Sequence, residues 1–258
     1  MKTCVAMLLA LFGGVCFAQA SPDRGPHAAY PESEAQAAWR GLAASYVRKA
    51  SRTHTLDTDP VLNTRVDTVM AAVGTAVAAI DRRFADSSWR AILIEDFGHG
   101  AAAFPGEIIL VDAKFVRTLK LNDDELALIF SHEAAHVVAG HASAKLSFMA
   151  EFLGKGKVPT ARTALLEYLA KDSYAAVFQP TLQRQEREAD TVGAAILFAS
   201  GYDPQRAMGL FDKLANMETR DDGRGEDPHD AARIRKQAVA GVIADLRRVQ
   251  AHRSPEPQ

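Results

Sequence analysis

The chain has 258 residues, of which 48% are hydrophobic and 24% are charged, and its formal net charge is −2 at pH 7. This length and apolar content are typical of a folded domain with a sizeable core, and they argue against a disordered chain. The near-neutral charge offers no basic excess for a nucleic-acid surface, so we expect no nucleic-acid partner.

The first twenty residues have the pattern of an export signal. Lys2 precedes an apolar run at residues 5–17 that is too short to span a bilayer comfortably, and the string AQA at residues 18–20 is a small-residue cleavage site. We predict a signal peptide at residues 1–20 and a periplasmic or secreted protein that has no transmembrane segment after cleavage. An uncleaved membrane anchor is the alternative.

The remaining chain is predicted to form one domain at residues 21–252, followed by a disordered tail at residues 253–258. Both cysteines, Cys4 and Cys16, lie inside the signal. The mature chain therefore has no disulfide and no thiol for catalysis.

The first half of the mature chain combines helical and strand patterns. Apolar residues at steps of three and four predict helices at residues 33–50 and 60–80. Residues 89–95 are typical of a strand, residues 99–103 of a small-residue turn, and residues 107–112 of a returning strand. We expect an α+β fold, mostly helical, with a small β-sheet or hairpin.

The most informative segment is the string HEAAH at residues 132–136. It lies in a helical pattern that begins at Asn122, where Glu125 completes a capping-box pattern. Two histidines four residues apart point from the same face of a helix, at the spacing with which one divalent metal binds both. Glu133 stands where a carboxylate can take a proton from metal-bound water. A pair of buried histidines without a metal is the alternative.

A catalytic zinc needs a third protein ligand. His141 lies nine residues after His132, about 900° around a continuous helix, so we interpret it as a helix-end residue that favours the dipole. Glu186 is the better candidate, because it opens a later helical stretch at residues 185–201 and shares a face with Asp190. Asp190 can accept a ring N–H from a ligating histidine.

The same acids allow another interpretation. The string QRQERE at residues 183–188 can be a solvated charge cluster at the start of a helix, where acidic side chains suit the dipole. Small residues favour the metal interpretation, because they would let this helix pack closely on another, and they are Ala189, Gly193 and Ala194.

The downstream pattern is mainly helical. We predict helices at residues 160–177, from Asp203-Pro204 onward, and at residues 234–249, with a polar loop at residues 221–230. Histidines without a partner at metal spacing are predicted to lie on the surface, and they are His27, His54, His99 and His252. Trp39 and Trp89 are expected in the core.

The string HExxH on one helix and ExxAD on a later one resembles a family of zinc metallopeptidases. This family includes the CAAX prenyl endopeptidase and the HtpX membrane protease, and the resemblance is greatest to soluble periplasmic members of the BepA and LoiP kind. It covers approximately residues 59–234 and includes Phe104-Pro105-Gly106 and the string ASGYDP at residues 199–204. One departure is Glu107, which stands where the family usually has a second glycine.

The resemblance implies a zincin-like fold and one Zn²⁺ per chain, with His132, His136 and Glu186 as ligands. It makes Glu133 the general base and Asp190 the acid that holds a ligating histidine. Arg233 matches a recurring arginine and is the favoured oxyanion-stabilising residue. Other candidates by side-chain type are His229, Tyr168 and Tyr174.

A second departure lies near the C-terminal end. Some relatives have a histidine before the proline that corresponds to Pro228, and that histidine is implicated in masking the zinc. Here Asp227 takes its place. Masking by histidine is therefore not expected, although Asp227 or His229 can substitute.

These features predict a zinc-dependent metalloendopeptidase that cuts unfolded or misassembled envelope proteins, with outer-membrane assembly factors as candidate partners. The strand at residues 107–111 either offers a free edge to an extended peptide or is an ordinary covered strand. The functional alternatives are a proteolytically masked or inactive metallopeptidase scaffold that acts as a chaperone or adaptor, and a zinc hydrolase of non-peptide amides.

Overall fold

Helices surround a small sheet in this chain. The computed structural model describes residues 28–170, 174–218 and 232–253. Two long helices come first, α1 at Glu32–Arg52 and α2 at Pro60–Ile80. The start of α2 is fixed locally, because Asp59 accepts hydrogen bonds from the backbone N–H groups of Val61 and Leu62 and Pro60 occupies the first turn. Both helices confirm the sequence prediction.

The sheet has three strands, β1 at Arg90–Ile94, β2 at Ala101–Phe104 and β3 at Ile108–Asp112, in the order β1-β3-β2. β3 pairs parallel to β1 and antiparallel to β2. The prediction of a turn at residues 99–103 is wrong, since most of that segment is β2. Its alanines have low strand propensity and no alternation, so only pairing with β3 defines the strand.

Of the two alternatives for residues 107–111, the structure has the covered strand and excludes the free edge, because β3 lies between the other two strands. The outer side of β1 is covered by the segment at residues 55–57, which bonds to the backbone of Leu93 and Glu95. Among the described residues, the open edge of the sheet belongs to β2.

Helices occupy most of the chain after the sheet. They are α3 at Ala113–Thr118, α4 at Asp123–Val138, α5 at His141–Leu153, α6 at Ala161–Ala170, α7 at Ala175–Ser200, α8 at Pro204–Ala207, α9 at Gly209–Glu218 and α10 at Ala232–Arg253. The capping box at the start of α4 is present as predicted. None of the helices within the described ranges is apolar over a length that would cross a bilayer.

Two helix predictions need correction. The segment predicted at residues 160–177 divides into α6 and the beginning of α7. The helix predicted to start at residue 185 in fact begins at Ala175 and continues through Pro180. The acids at residues 183–188 therefore lie in the middle of α7 and not at a helix start. Proline inside a helix is rare enough to hide this continuity in the sequence. The predicted signal peptide and the loop at residues 221–230 lie outside the described residues.

The sheet separates two apolar cores. Ile109 and Val111 of β3 belong to the first, which α2, α4, α7 and α10 complete. Leu110 belongs to the second, which is formed with α1, α5, α6 and the beginning of α7. Trp39 is buried in the second core, and Trp89 packs against the first, in agreement with prediction.

Helices α4 and α7 are in close contact at Gly193. A Cβ atom on Gly193 would lie 2.9 Å from the Cα atom and 3.0 Å from the backbone nitrogen of His132. These are backbone atoms that cannot rotate away, so only glycine fits at this contact. The predicted close packing through small residues is confirmed here.

We expect Gly193→Ala to lower the free energy of unfolding by about 1–2 kcal/mol, because the overpacking cost exceeds the gain in helix propensity. Urea denaturation measures this change. Gly241→Ala is the matched control, since Gly241 lies in α10 with nothing within 4 Å of its added Cβ. That control should gain up to about 1 kcal/mol. Equal effects of the two substitutions would contradict the close contact.

Candidate metal centre

The histidine pair of α4 faces the acidic stretch of α7. The Nε2 atoms of His132 and His136 are 3.1 Å apart. The carboxylate of Glu186 places Oε2 3.1 Å from His132 Nε2 and Oε1 3.4 Å from His136 Nε2. These three side chains form a group whose donor atoms all lie within 4.8 Å of one another.

This geometry fits a tetrahedral zinc site. Ligands at about 2.0–2.1 Å from zinc in tetrahedral geometry are roughly 3.3 Å apart, which is close to the observed separations. Two imidazoles and a carboxylate also form a common donor set of catalytic zinc sites, in which the fourth position is left to water. The structure brings the three predicted ligands together, and their role as ligands stays a prediction.

His132 is held by a buried carboxylate. Its Nδ1 lies 3.0 Å from Oδ1 of Asp190, which is only 4% exposed. Arg235 donates to both oxygens of Asp190, from Nε at 2.9 Å and from Nη2 at 2.8 Å. The Nδ1–H group of His132 therefore points to Asp190, and its Nε2 atom faces Glu186 and His136, where the lone pair of a neutral ring would bind a metal.

The arginine of the centre is not the predicted one. Arg233 is exposed, whereas Arg235 is only 12% exposed in its side chain and lies at the centre. On α10, Arg235 shares the face of the buried residues Ala232, Val239 and Ile243, and a shift of two positions turns Arg233 by about 200°. A charge placed within an apolar stripe was the sequence signal for Arg235.

Neither of the two candidate tyrosines is brought to the centre. Tyr168 packs against Trp39 and Phe178 in the second core, and Tyr174 packs against Phe152. His229 and Asp227 lie outside the described residues. His54, His99 and His252 are exposed, as predicted, and His27 lies outside the described residues.

The interpretation of His141 as a residue at the end of the zinc-binding helix is wrong. α4 ends at Val138, Gly140 turns the chain with φ at 72°, and His141 is the first residue of α5. His141 is 1% exposed, and its Nδ1 lies 2.8 Å from Nδ1 of His136. It contacts a predicted ligand but is not part of the three-residue donor group.

Glu133 points toward the sheet. Its Oε2 accepts a hydrogen bond from the backbone N–H of Ala103 at 2.8 Å. This bond connects the residue predicted to be the general base with the open edge of β2.

The two histidines differ in their affinity for protons. Burial lowers the pKa of His132, but hydrogen bonds with Asp190 and Glu186 outweigh burial and raise this pKa to about 9. Burial lowers the pKa of His136 to about 3. Burial raises the pKa of Asp190, but hydrogen bonds from His132 and Arg235 outweigh it and hold this pKa below its usual value.

Residues 60–250 match the model of peptidase family M48. The chain belongs to this family. The match confirms the resemblance that the two motifs indicated, and the fold is α+β, mostly helical and zincin-like. Glu107 stands where the resemblance leads us to expect a glycine. It adopts a φ of 55°, in the left-handed region that glycine favours.

Curated proteins named as proteases are similar to about two thirds of this chain. A protein named mitochondrial metalloendopeptidase OMA1 from Arabidopsis thaliana is 26% identical over 178 residues, which are 65% of this chain and 35% of that protein. A protein named beta-barrel assembly-enhancing protease from Yersinia pestis is 26% identical over 183 residues, which are 67% of this chain and 36% of that protein. The chain thus spans about a third of the length of these relatives.

We expect Arg235→Met to lower the free energy of unfolding by about 2–3 kcal/mol, because it removes two hydrogen bonds from the buried carboxylate of Asp190. Arg233→Met is the matched control on the exposed face and should change stability by less than about 0.5 kcal/mol. Thermal and urea unfolding of both variants measure the difference. Equal destabilisation by the two substitutions would contradict the hydrogen bonds between Arg235 and Asp190.

We also expect zinc binding to release protons. A histidine must be neutral to bind zinc, and a pKa of about 9 keeps His132 protonated at pH 7 in the metal-free protein. Apparent zinc affinity should therefore rise by about tenfold per pH unit between pH 6 and 8. Titration calorimetry in buffers of different ionisation enthalpy measures the protons released. A binding enthalpy that is independent of the buffer would contradict this expectation.

Proposed function

We propose that the chain is a zinc-dependent metalloendopeptidase that hydrolyses peptide bonds. The convergence of His132, His136 and Glu186 from two separate helices carries this proposal. Membership of the M48 family and the names of the similar proteins support it.

In the proposed reaction, His132, His136 and Glu186 would hold the zinc ion, which when bound would lower the pKa of a water molecule and polarise the scissile carbonyl. Glu133 takes a proton from the attacking water and passes it to the leaving amine. Asp190 holds the ring of His132, and Arg235 holds Asp190. No covalent intermediate between substrate and protein is needed.

We infer that the substrate binds as an added strand on β2. The N–H of Ala103 points away from β3, as its hydrogen bond to Glu133 shows. By strand alternation, Ala101 presents its backbone groups on the same side. Both alanines are only half-buried, and their small side chains leave room for another strand. Backbone pairing would bind extended chains with little dependence on sequence.

Unfolded or misassembled envelope proteins are the proposed substrates. The export pattern at residues 1–20 supports a periplasmic or secreted location, and the similar Yersinia protein is named for enhancement of β-barrel assembly. Outer-membrane assembly factors are the proposed partners.

We expect Glu133→Gln to keep zinc and to cut unfolded casein at least about a hundredfold more slowly, because the amide cannot act as a base. Its carbonyl oxygen can still accept the N–H of Ala103, so the site should keep its geometry. Zinc content by mass spectrometry and fluorescent-casein cleavage measure the two effects.

Glu186→Ala should lose both zinc and cleavage, and Glu151→Gln, at an exposed position of α5, should lose neither. Cleavage by Glu133→Gln at the wild-type rate would refute the mechanism. If wild type binds zinc and suppresses aggregation of unfolded proteins without cutting them, the scaffold alternative replaces the proposal.

A further inference from the structure

A chain of hydrogen-bonding side chains leads from His136 away from the three-residue donor group. His136 Nδ1 lies 2.8 Å from Nδ1 of His141, and Nε2 of His141 lies 3.3 Å from Oε2 of Glu188. His141 is 1% exposed, and the side chain of Glu188 is 33% exposed. The chain thus connects a partly buried imidazole of α4 to a carboxylate near the surface of α7, through a buried imidazole of α5.

The hydrogen positions in this chain follow from its two ends. An ionised carboxylate only accepts hydrogen bonds, so His141 must donate to Glu188 from Nε2. In the tautomer of His141 that has its hydrogen on Nε2, Nδ1 accepts from Nδ1–H of His136. His136 in turn keeps a lone pair on Nε2, and this is the atom that faces His132 and Glu186.

We propose that His141 is a positioning residue for the metal and that Glu188 fixes its orientation. His141 sets the tautomer and ring direction of His136, as Asp190 does directly for His132. This inference rests on the proposed function, because it assigns His136 as a zinc ligand. His141 lies outside the HEAAH string, and Glu188 lies outside the predicted ligand set.

The backbone explains how His141 reaches His136. α4 ends two residues after His136, and Gly140, with φ at 72°, reverses the chain at once. Residue 141 is therefore brought back beside the last turn of α4. α5 then packs into the second core through Leu146 and Met149, which holds His141 in place.

Substitutions of His141 test the proposal through metal affinity. His141→Leu should weaken zinc binding by about ten- to a hundredfold, the usual loss when a hydrogen-bond partner of a ligating histidine is removed. His141→Asn should restore most of the affinity, since its Oδ1 can accept from His136 at the position of the lost Nδ1. Chelator competition gives the zinc affinity, and the visible spectrum of the cobalt-substituted protein reports the ligand geometry.

A second pair of variants tests the carboxylate at a more exposed position. Glu188→Ala should weaken zinc binding by about tenfold. Glu188→Gln should come close to wild type, because its amide oxygen can still accept from His141. In the His141→Leu background, Glu188→Ala should have no further effect. Glu151→Ala, at an exposed position of α5, is the control.

The outcomes separate this inference from the proposed function. If wild type binds zinc and cuts casein while His141→Leu and Glu188→Ala keep wild-type affinity and cobalt spectrum, the positioning role is overturned. If His141→Leu does not fold, the pair at Glu188 decides. If these variants lower only the unfolding temperature, His141 is structural and the inference fails. If wild type binds no zinc, the proposed metal site fails, and the inference fails with it.

Discussion

The close contact of α4 with α7 is the constraint on which the candidate centre depends. Gly193 lies against the backbone of His132, so the two helix axes approach more closely than larger side chains would allow. At that separation Glu186 and Asp190 meet the two sides of one imidazole ring. A wider spacing would leave both carboxylates buried without the histidine that they contact.

The charges of the centre favour a cation. Three carboxylates, Glu133, Glu186 and Asp190, are near enough to act on the guanidinium of Arg235. The carboxylates that raise the pKa of His132 are also those that would stabilise a metal ion. A proton on His132 and a metal ion would therefore compete for one site.

Local signals predicted the parts of the fold that local interactions determine. Asp59 and Pro60 define the start of α2, and Asn122 with Glu125 defines the start of α4, because these residues satisfy the first N–H groups of the helix. The spacing of four between His132 and His136 needs nothing beyond one helix. The sequence alone therefore predicts that the two histidines lie on one helix and point from the same face.

Contacts between distant segments were harder to predict. β2 is a run of alanines that becomes a strand only because β3 pairs with it. His141 faces His136 only because the chain reverses at Gly140. The motif position favours Arg233, whereas the arginine at the centre is Arg235, which belongs to the apolar face of α10.

The position of β3 between two cores has a consequence for folding. Its side chains alternate between the cores, so neither face is open to water. A shift of the strand by one residue would exchange every side chain between the two interiors at once. A strand with one wet face can tolerate some misalignment there, but this one cannot, and its pairing must be correct before either interior can close.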